Sequence, residues 1–169
     1  MNRILLGNMI SFAAAIMLFL GCYTTDARKI YVYQIAENAI LCLSSVVFGS
    51  WTGLITLLLA IFRNILIMRN KYSRVWMLGI SIVITVGGMI ANTKGVVGWL
   101  PILATLIWTI GNYYYSEVIH VKIFLLINTI IWCMYFFIIW DFSSGIAQLV
   151  TGIICIQSLY RVSRASKKL

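Results

Sequence analysis

The sequence predicts an all-α membrane protein of seven transmembrane helices, arranged as three, one and three in a parallel pseudo-repeat. Three observations lead there. Hydrophobic residues make up 62% of the 169 residues and charged residues only 10%, against roughly half and a quarter in a soluble domain. The apolar residues fall into seven runs near the length that crosses a bilayer, about 20 residues. The first three runs align with the last three. A mean hydropathy of +0.99 leaves too little polar surface to coat a water-soluble particle. This excludes a soluble enzyme, a disordered tail and a secreted disulfide scaffold. The single Pro excludes collagen-like and Pro-rich linker chains.

The runs are 4–23, 30–48, 52–68, 75–92, 99–115, 121–140 and 144–160. The first follows Met1-Asn2-Arg3 and ends in Leu20-Gly21-Cys22, which has the outline of a lipoprotein leader. Phe19 and Leu20 before the cysteine, with Asn8 and Ser11 inside the run, favour a retained helix instead. Arg28 and Lys29 lie in the gap just before the second run. Gly49-Ser50-Trp51-Thr52-Gly53 is short and mildly polar, so runs two and three form a tight hairpin. The fourth run carries Gly79, Gly87 and Gly88, which lower helix propensity, although lipid tolerates Gly better than water does. Pro101 lies in the first turn of the fifth. Asp141-Phe142-Ser143-Ser144-Gly145 separates the sixth from the seventh.

A net charge of +9 would suggest nucleic acid on a soluble chain. Here the basic residues lie in the gaps between apolar runs and act as a topology signal. Arg3 and Lys94 fall on one side. Arg28, Lys29, Arg69, Lys71, Arg74, Lys122, Arg161, Arg164, Lys167 and Lys168 fall on the other. The positive-inside rule then places the N-terminus outside and the C-terminus in the cytoplasm, and no nucleic-acid partner is expected. The basic tail reads as an anchor for anionic headgroups. Cys22, Cys42, Cys133 and Cys155 form no CxxC pair and read as small apolar residues. Lone His120 has no ligand set around it, so no metal or cofactor is expected.

At an offset of 90 residues Gly21 meets Gly111, Tyr23 meets Tyr113 and Asn38 meets Asn128; at 92, Gly53 meets Gly145 and Arg69 meets Arg161. This divides the chain into a first three-helix bundle at 1–74, a linking helix at 75–98 and a second bundle with its basic tail at 99–169. Halves of the same orientation are a known transporter plan, with the solute near the midplane between them.

This pattern resembles the SWEET, PQ-loop and MtN3-like superfamily. More closely, the chain resembles the bacterial inner-membrane family YgjV. The resemblance rests on Ile61-Phe62-Arg63-Asn64-Ile65-Leu66-Ile67-Met68-Arg69, on Trp99-Leu100-Pro101-Ile102-Leu103-Ala104-Thr105, and on the final run from Ser144-Gly145 to Tyr160-Arg161. It implies the bacterial inner membrane. The PQ dipeptide is absent, since Ile102 follows Pro101. SWEET-type carriers place an Asn on the third and seventh helices against the solute. Asn64 fits the third, and Gln157 lies beside its aligned mate Ile156.

Glu37 and Arg63 are the ionisable residues inside runs, where charge is costly and informative. They fall at similar depth on neighbouring antiparallel helices, so an ion pair is the expected arrangement. A proton-linked carboxylate, a solute-binding Arg, a structural pair and an Arg63 snorkelling to headgroups all remain open at this point. The intramembrane amides Asn38, Asn64, Asn128 and Gln157, with mid-run Trp108 and Trp132, are the expected solute-binding residues. Trp51, Trp76, Trp99, Trp140 and Tyr113-Tyr114-Tyr115 suit the interfacial belt.

No GxSxG, HExxH, P-loop or paired-carboxylate motif is present, so no enzymatic activity is expected. The expected function is a carrier that moves a small polar solute by alternating access between two three-helix bundles. The alternative is a receptor, sorting factor or accessory subunit on the same fold. Membrane lipid is the expected partner in either case, and self-association is open.

Overall fold

A computed structural model describes residues 2–23, 27–115 and 118–166. Those residues form seven α-helices and no strand. They are α1 (Arg3–Tyr23), α2 (Ala27–Phe48), α3 (Trp51–Met68), α4 (Arg74–Ile90), α5 (Trp99–Tyr114), α6 (Val118–Ile138) and α7 (Phe142–Ser166), with a 3₁₀ turn at Gly95–Gly98 leading into α5. Each expected run became one helix, with ends shifted by a few residues. Four helical stretches, within α1, α2 and α3 and through the 3₁₀ turn and α5, are long and apolar enough to cross a membrane. Shorter apolar stretches occupy α4, α6 and α7.

The helix ends follow local chemistry. Ser50 N–H donates to Ser45 O at 2.8 Å, and Gly49 sits at φ +64°, where glycine carries no steric penalty. The same 6→1 closure ends α3, with Asn70 in the left-handed region, and α6, with Trp140 there at φ +68°. Pro101 occupies the first turn of α5, where its missing N–H costs no helical bond. Helix α4 stops at Ile90, before the expected end at 92. Asn92 there accepts from Lys94 N–H and donates to Gly95 O, at 3.0 and 2.7 Å, and so turns the chain.

In order around the bundle, α1, α2, α3, α5, α6 and α7 each pack on the next, and α7 returns to α1. Helix α4 lies outside this ring, on α3 and α5. Its inward stripe is Met77, Ile80, Ile84 and Gly88, a 3.6-residue repeat one residue wide. The rest of the helix, Val75, Leu78, Ile82, Val83, Val86 and Ile90 among it, is exposed. Apolar exposure of that kind on most of the helices suits lipid as the outer solvent. Two buried clusters fill the interior. One joins Ala14, Leu41, Leu57, Ala104, Trp132, Tyr135 and Phe136; the other joins Leu66, Ile80, Ile84 and Ile102 across α3, α4 and α5.

Candidate functional site

A cavity of about 70 Å³ occupies the middle of the ring, room for several water molecules. All six ring helices line it. They contribute Leu18 from α1, Gln34, Glu37, Asn38 and Leu41 from α2, Leu57, Ala60 and Arg63 from α3, Thr105 and Trp108 from α5, Asn128, Thr129, Trp132 and Phe136 from α6, and Gln148 and Thr151 from α7. A smaller cavity adjoins it towards α1 and α7, sharing Leu18, Glu37, Leu41 and Gln148 and reaching Ser144.

The expected site residues sort into those the structure gathers here and those it does not. Asn38, Asn128, Trp108, Trp132, Glu37 and Arg63 all line the cavity. Trp132 is stacked on Phe136 with ring centres 5.2 Å apart and set edge-on to Tyr135 at 5.7 Å, which fixes the plane of its ring. Asn64 is buried beside the cavity wall. It accepts from Arg63 Nε and Nη2 at 3.2 and 3.0 Å, and donates to Gln34 Oε1 at 3.1 Å. It therefore positions Arg63. Gln157 is exposed. The inward face of α7 is set by Gln148, Thr151 and Cys155, and nine residues at about 100° each put Gln157 opposite Gln148.

Among the described residues Glu37 and Arg63 form no ion pair, contrary to the sequence expectation. Their depths are as expected. Glu37 lies 11 residues before Phe48 and Arg63 lies 12 after Trp51, so both sit roughly 17 Å from the α2–α3 turn. Their directions differ. Arg63 turns towards α5, where Nη1 donates to Thr109 Oγ1 at 3.1 Å. Glu37 turns towards α1 and α7, on the wall shared by both cavities. Three of the guanidinium's five N–H groups are thus used on neutral acceptors. Tyr72, in the α3–α4 loop, braces the Thr109 end by donating to Thr109 O at 2.8 Å. Burial pushes the Tyr72 hydroxyl up to about 12, although nearby Arg63 pulls the other way.

A second polar cluster was not visible in the sequence as a site. Asp141, between α6 and α7, is buried. Its Oδ1 accepts Ser144 N–H at 3.1 Å, the bond of an N-cap to the third helical residue. Its Oδ2 accepts Ser11 Oγ–H at 2.6 Å and faces Ser44 Oγ at 3.3 Å, while the two serines bond each other at 2.6 Å. Burial raises the Asp141 carboxyl above its ordinary value, and the hydrogen bonds from Ser11, Ser144 and Ser44 offset part of that. Next to it Asn8 donates to Trp140 O at 3.1 Å and accepts from Ser143 N–H at 2.9 Å. These bonds tie α1 and α2 to the α6–α7 turn. A second tie, Ser50 Oγ with Tyr135 OH, joins the α2–α3 turn to α6. The only sequence signal was that Asp141 is one of four acidic residues in the chain.

A comparison with protein families matches residues 5–166 to the Imp-YgjV family, described as bacterial inner membrane protein. No curated protein and no solved structure matches the chain. An all-helical bundle with an apolar exterior agrees with that description, and the match runs over nearly the whole length. The chain belongs to the bacterial inner membrane protein family Imp-YgjV.

Proposed function

We propose that this inner-membrane protein is a carrier for a small polar solute. It works by alternating access between two three-helix bundles, α1–α3 and α5–α7, with α4 as the link. The observation that carries this reading is the polar cavity lined by all six ring helices and by none of the described residues of α4. A purely structural bundle would fill that volume with apolar side chains, because interiors pack to the density of organic crystals. Here two amide-bearing Asn residues, Asn38 and Asn128, face it from α2 and α6.

The packing order supports a parallel pseudo-repeat of the SWEET-like kind. The α1–α7 contact has its counterpart in the α5–α3 contact. Gly21 approaches Tyr33 of α2, and Gly111, 90 residues on, approaches Phe124 of α6, one residue beyond the position that offset gives for Tyr33. The two contacts between the halves flank the cavity, so rocking one bundle on the other would open it to alternate sides. The basic gaps orient the carrier with its N-terminus outside and its C-terminus in the cytoplasm. No step in this reading is catalytic.

The test is solute counterflow into proteoliposomes across a panel of small polar compounds, with wild type beside Ala60→Leu. Ala60 lines the cavity, and the larger side chain occupies part of it. Saturable exchange by wild type, lost in a monodisperse Ala60→Leu protein, is the expected result. A folded wild type that exchanges nothing would favour the receptor, sorting or accessory reading instead.

A further inference from the structure

We propose that the central cavity is a site for a small zwitterion of the amino-acid type, its carboxylate on Arg63 and its ammonium on Glu37. The inference rests on the carrier reading and names its substrate class. The cavity holds one guanidinium, on Arg63, and one carboxyl group, on Glu37, both buried. Neither is neutralised by a neighbour among the described residues. Arg63 is held by Asn64 and Thr109, which carry no charge. No described side chain hydrogen-bonds the Glu37 carboxyl. An uncompensated buried guanidinium is costly, and a buried carboxyl ionises when a cation reaches it.

A solute carrying both charges meets both groups at once, its carboxylate on the guanidinium and its ammonium on the carboxyl. Arg63 keeps two N–H groups beyond the three already used. A planar guanidinium presents such groups in a fork that fits a carboxylate. An ammonium offers three donors; the Glu37 carboxyl and the side-chain amides of Asn38 and Gln148, which line the same cavity, are acceptors for them. The two charged groups share one depth but face different helices, α5 for Arg63 and α1 with α7 for Glu37. That separation suits a ligand whose own charges are a few bonds apart. A volume of about 70 Å³ suits a molecule of few heavy atoms and disfavours a sugar. A neutral solute or a simple cation would leave the Arg63 charge uncompensated, and a simple anion would leave the Glu37 carboxyl without an ionic partner.

The experiment uses the full chain in lipid nanodiscs and proteoliposomes, with radiolabelled glycine as the probe. Competitors are alanine, acetate, methylammonium and glucose. Wild type should bind and exchange glycine saturably. Alanine should compete, and the other three should do so at least tenfold more weakly. Glu37→Gln should abolish the discrimination against acetate. Arg63→Gln should lose both carboxylates, and Arg63→Lys should recover part of the glycine binding. Monodispersity and tryptophan fluorescence report that each variant is folded. Glucose or acetate binding with no effect of glycine overturns the zwitterion and leaves the carrier standing. Glycine binding without exchange keeps the zwitterion and removes the carrier. If folded wild type neither binds nor exchanges any of the five compounds, the zwitterion falls, and the wider panel decides the carrier.

Discussion

Replacing Asp141 by Ala removes two functions that one buried carboxylate performs. The first is the cap on α7, where Oδ1 accepts Ser144 N–H at 3.1 Å; losing an N-cap costs about 1 kcal/mol. The second is the acceptor for the serine pair. Ser11 and Ser44 bond each other at 2.6 Å, so only one of their two hydroxyl protons is left without an acceptor. A buried donor stranded in this way costs about 1–3 kcal/mol. Relief of the carboxylate's burial, which holds its pKa up, offsets part of the sum. The expected net loss is about 2–3 kcal/mol. For a chain of this size each kcal/mol is worth about 2–4 °C, so Tm should fall by about 4–12 °C. Asp141→Asn keeps an oxygen for the cap, but its NH2 can only donate to the serines and leaves the same hydroxyl proton without an acceptor, so it should recover the cap alone and be about 1 kcal/mol more stable than the alanine variant. Thermal unfolding in detergent, followed by a thiol-reactive dye, reads both variants, because Cys42 and Cys155 are buried until the bundle opens. The pH profile supplies an independent check. A carboxyl whose pKa is raised above 3.8 in the folded state binds its proton more tightly folded than unfolded. Its contribution to stability is therefore greatest at low pH. It declines as pH rises from 3.8 through the raised value, and is constant above. Asp141→Asn should flatten that decline. An alanine variant as stable as wild type, or an asparagine variant as damaged as alanine, would refute the reasoning.

Three further outcomes follow from local geometry. At Gly88 an added Cβ would lie 2.6 Å from Ile102 Cγ1, whereas at Gly79 it would meet nothing within 4 Å. Gly88→Ala should lower Tm through overpacking of about 1–3 kcal/mol, and Gly79→Ala should raise it through about 1 kcal/mol of helix propensity. Trp140 adopts φ +68°, so Trp140→Gly should be more stable than Trp140→Val by about 1–2 kcal/mol in the same assay; equal stabilities would show that the left-handed turn stores no strain. For orientation, a cysteine placed at Ser166 in a cysteine-free background should resist an impermeant thiol reagent in intact cells. Labelling from outside would reverse the proposed topology.

The sequence by itself determined that the chain lives in lipid and how many helices it makes. Lipid offers no partner for a backbone N–H or C=O, so each apolar run of spanning length has to close its own hydrogen bonds as a helix. Asn38 and Asn128 were legible as cavity residues for a related reason: intramembrane amides face protein or water, not hydrocarbon; Trp108 and Trp132 stood out by lying mid-run, away from the interfacial belt. The depths of Glu37 and Arg63 were legible too, because rise per residue is fixed by helix geometry. Only the tertiary structure decided what those two groups touch. Depth is a count along one helix, but partnership depends on how each helix is rotated and which neighbour it meets. Arg63 found Asn64 and Thr109 because α3 packs on α5. Gln157 points outward because the face of α7 carrying Gln148 and Thr151 is the one that α6 and α1 bury. Asp141 shows the same limit at a turn. A polar residue between two apolar runs has one sequence signature whether water or a pair of serines satisfies it, and here α1 and α2 bring Ser11 and Ser44 to it across the bundle.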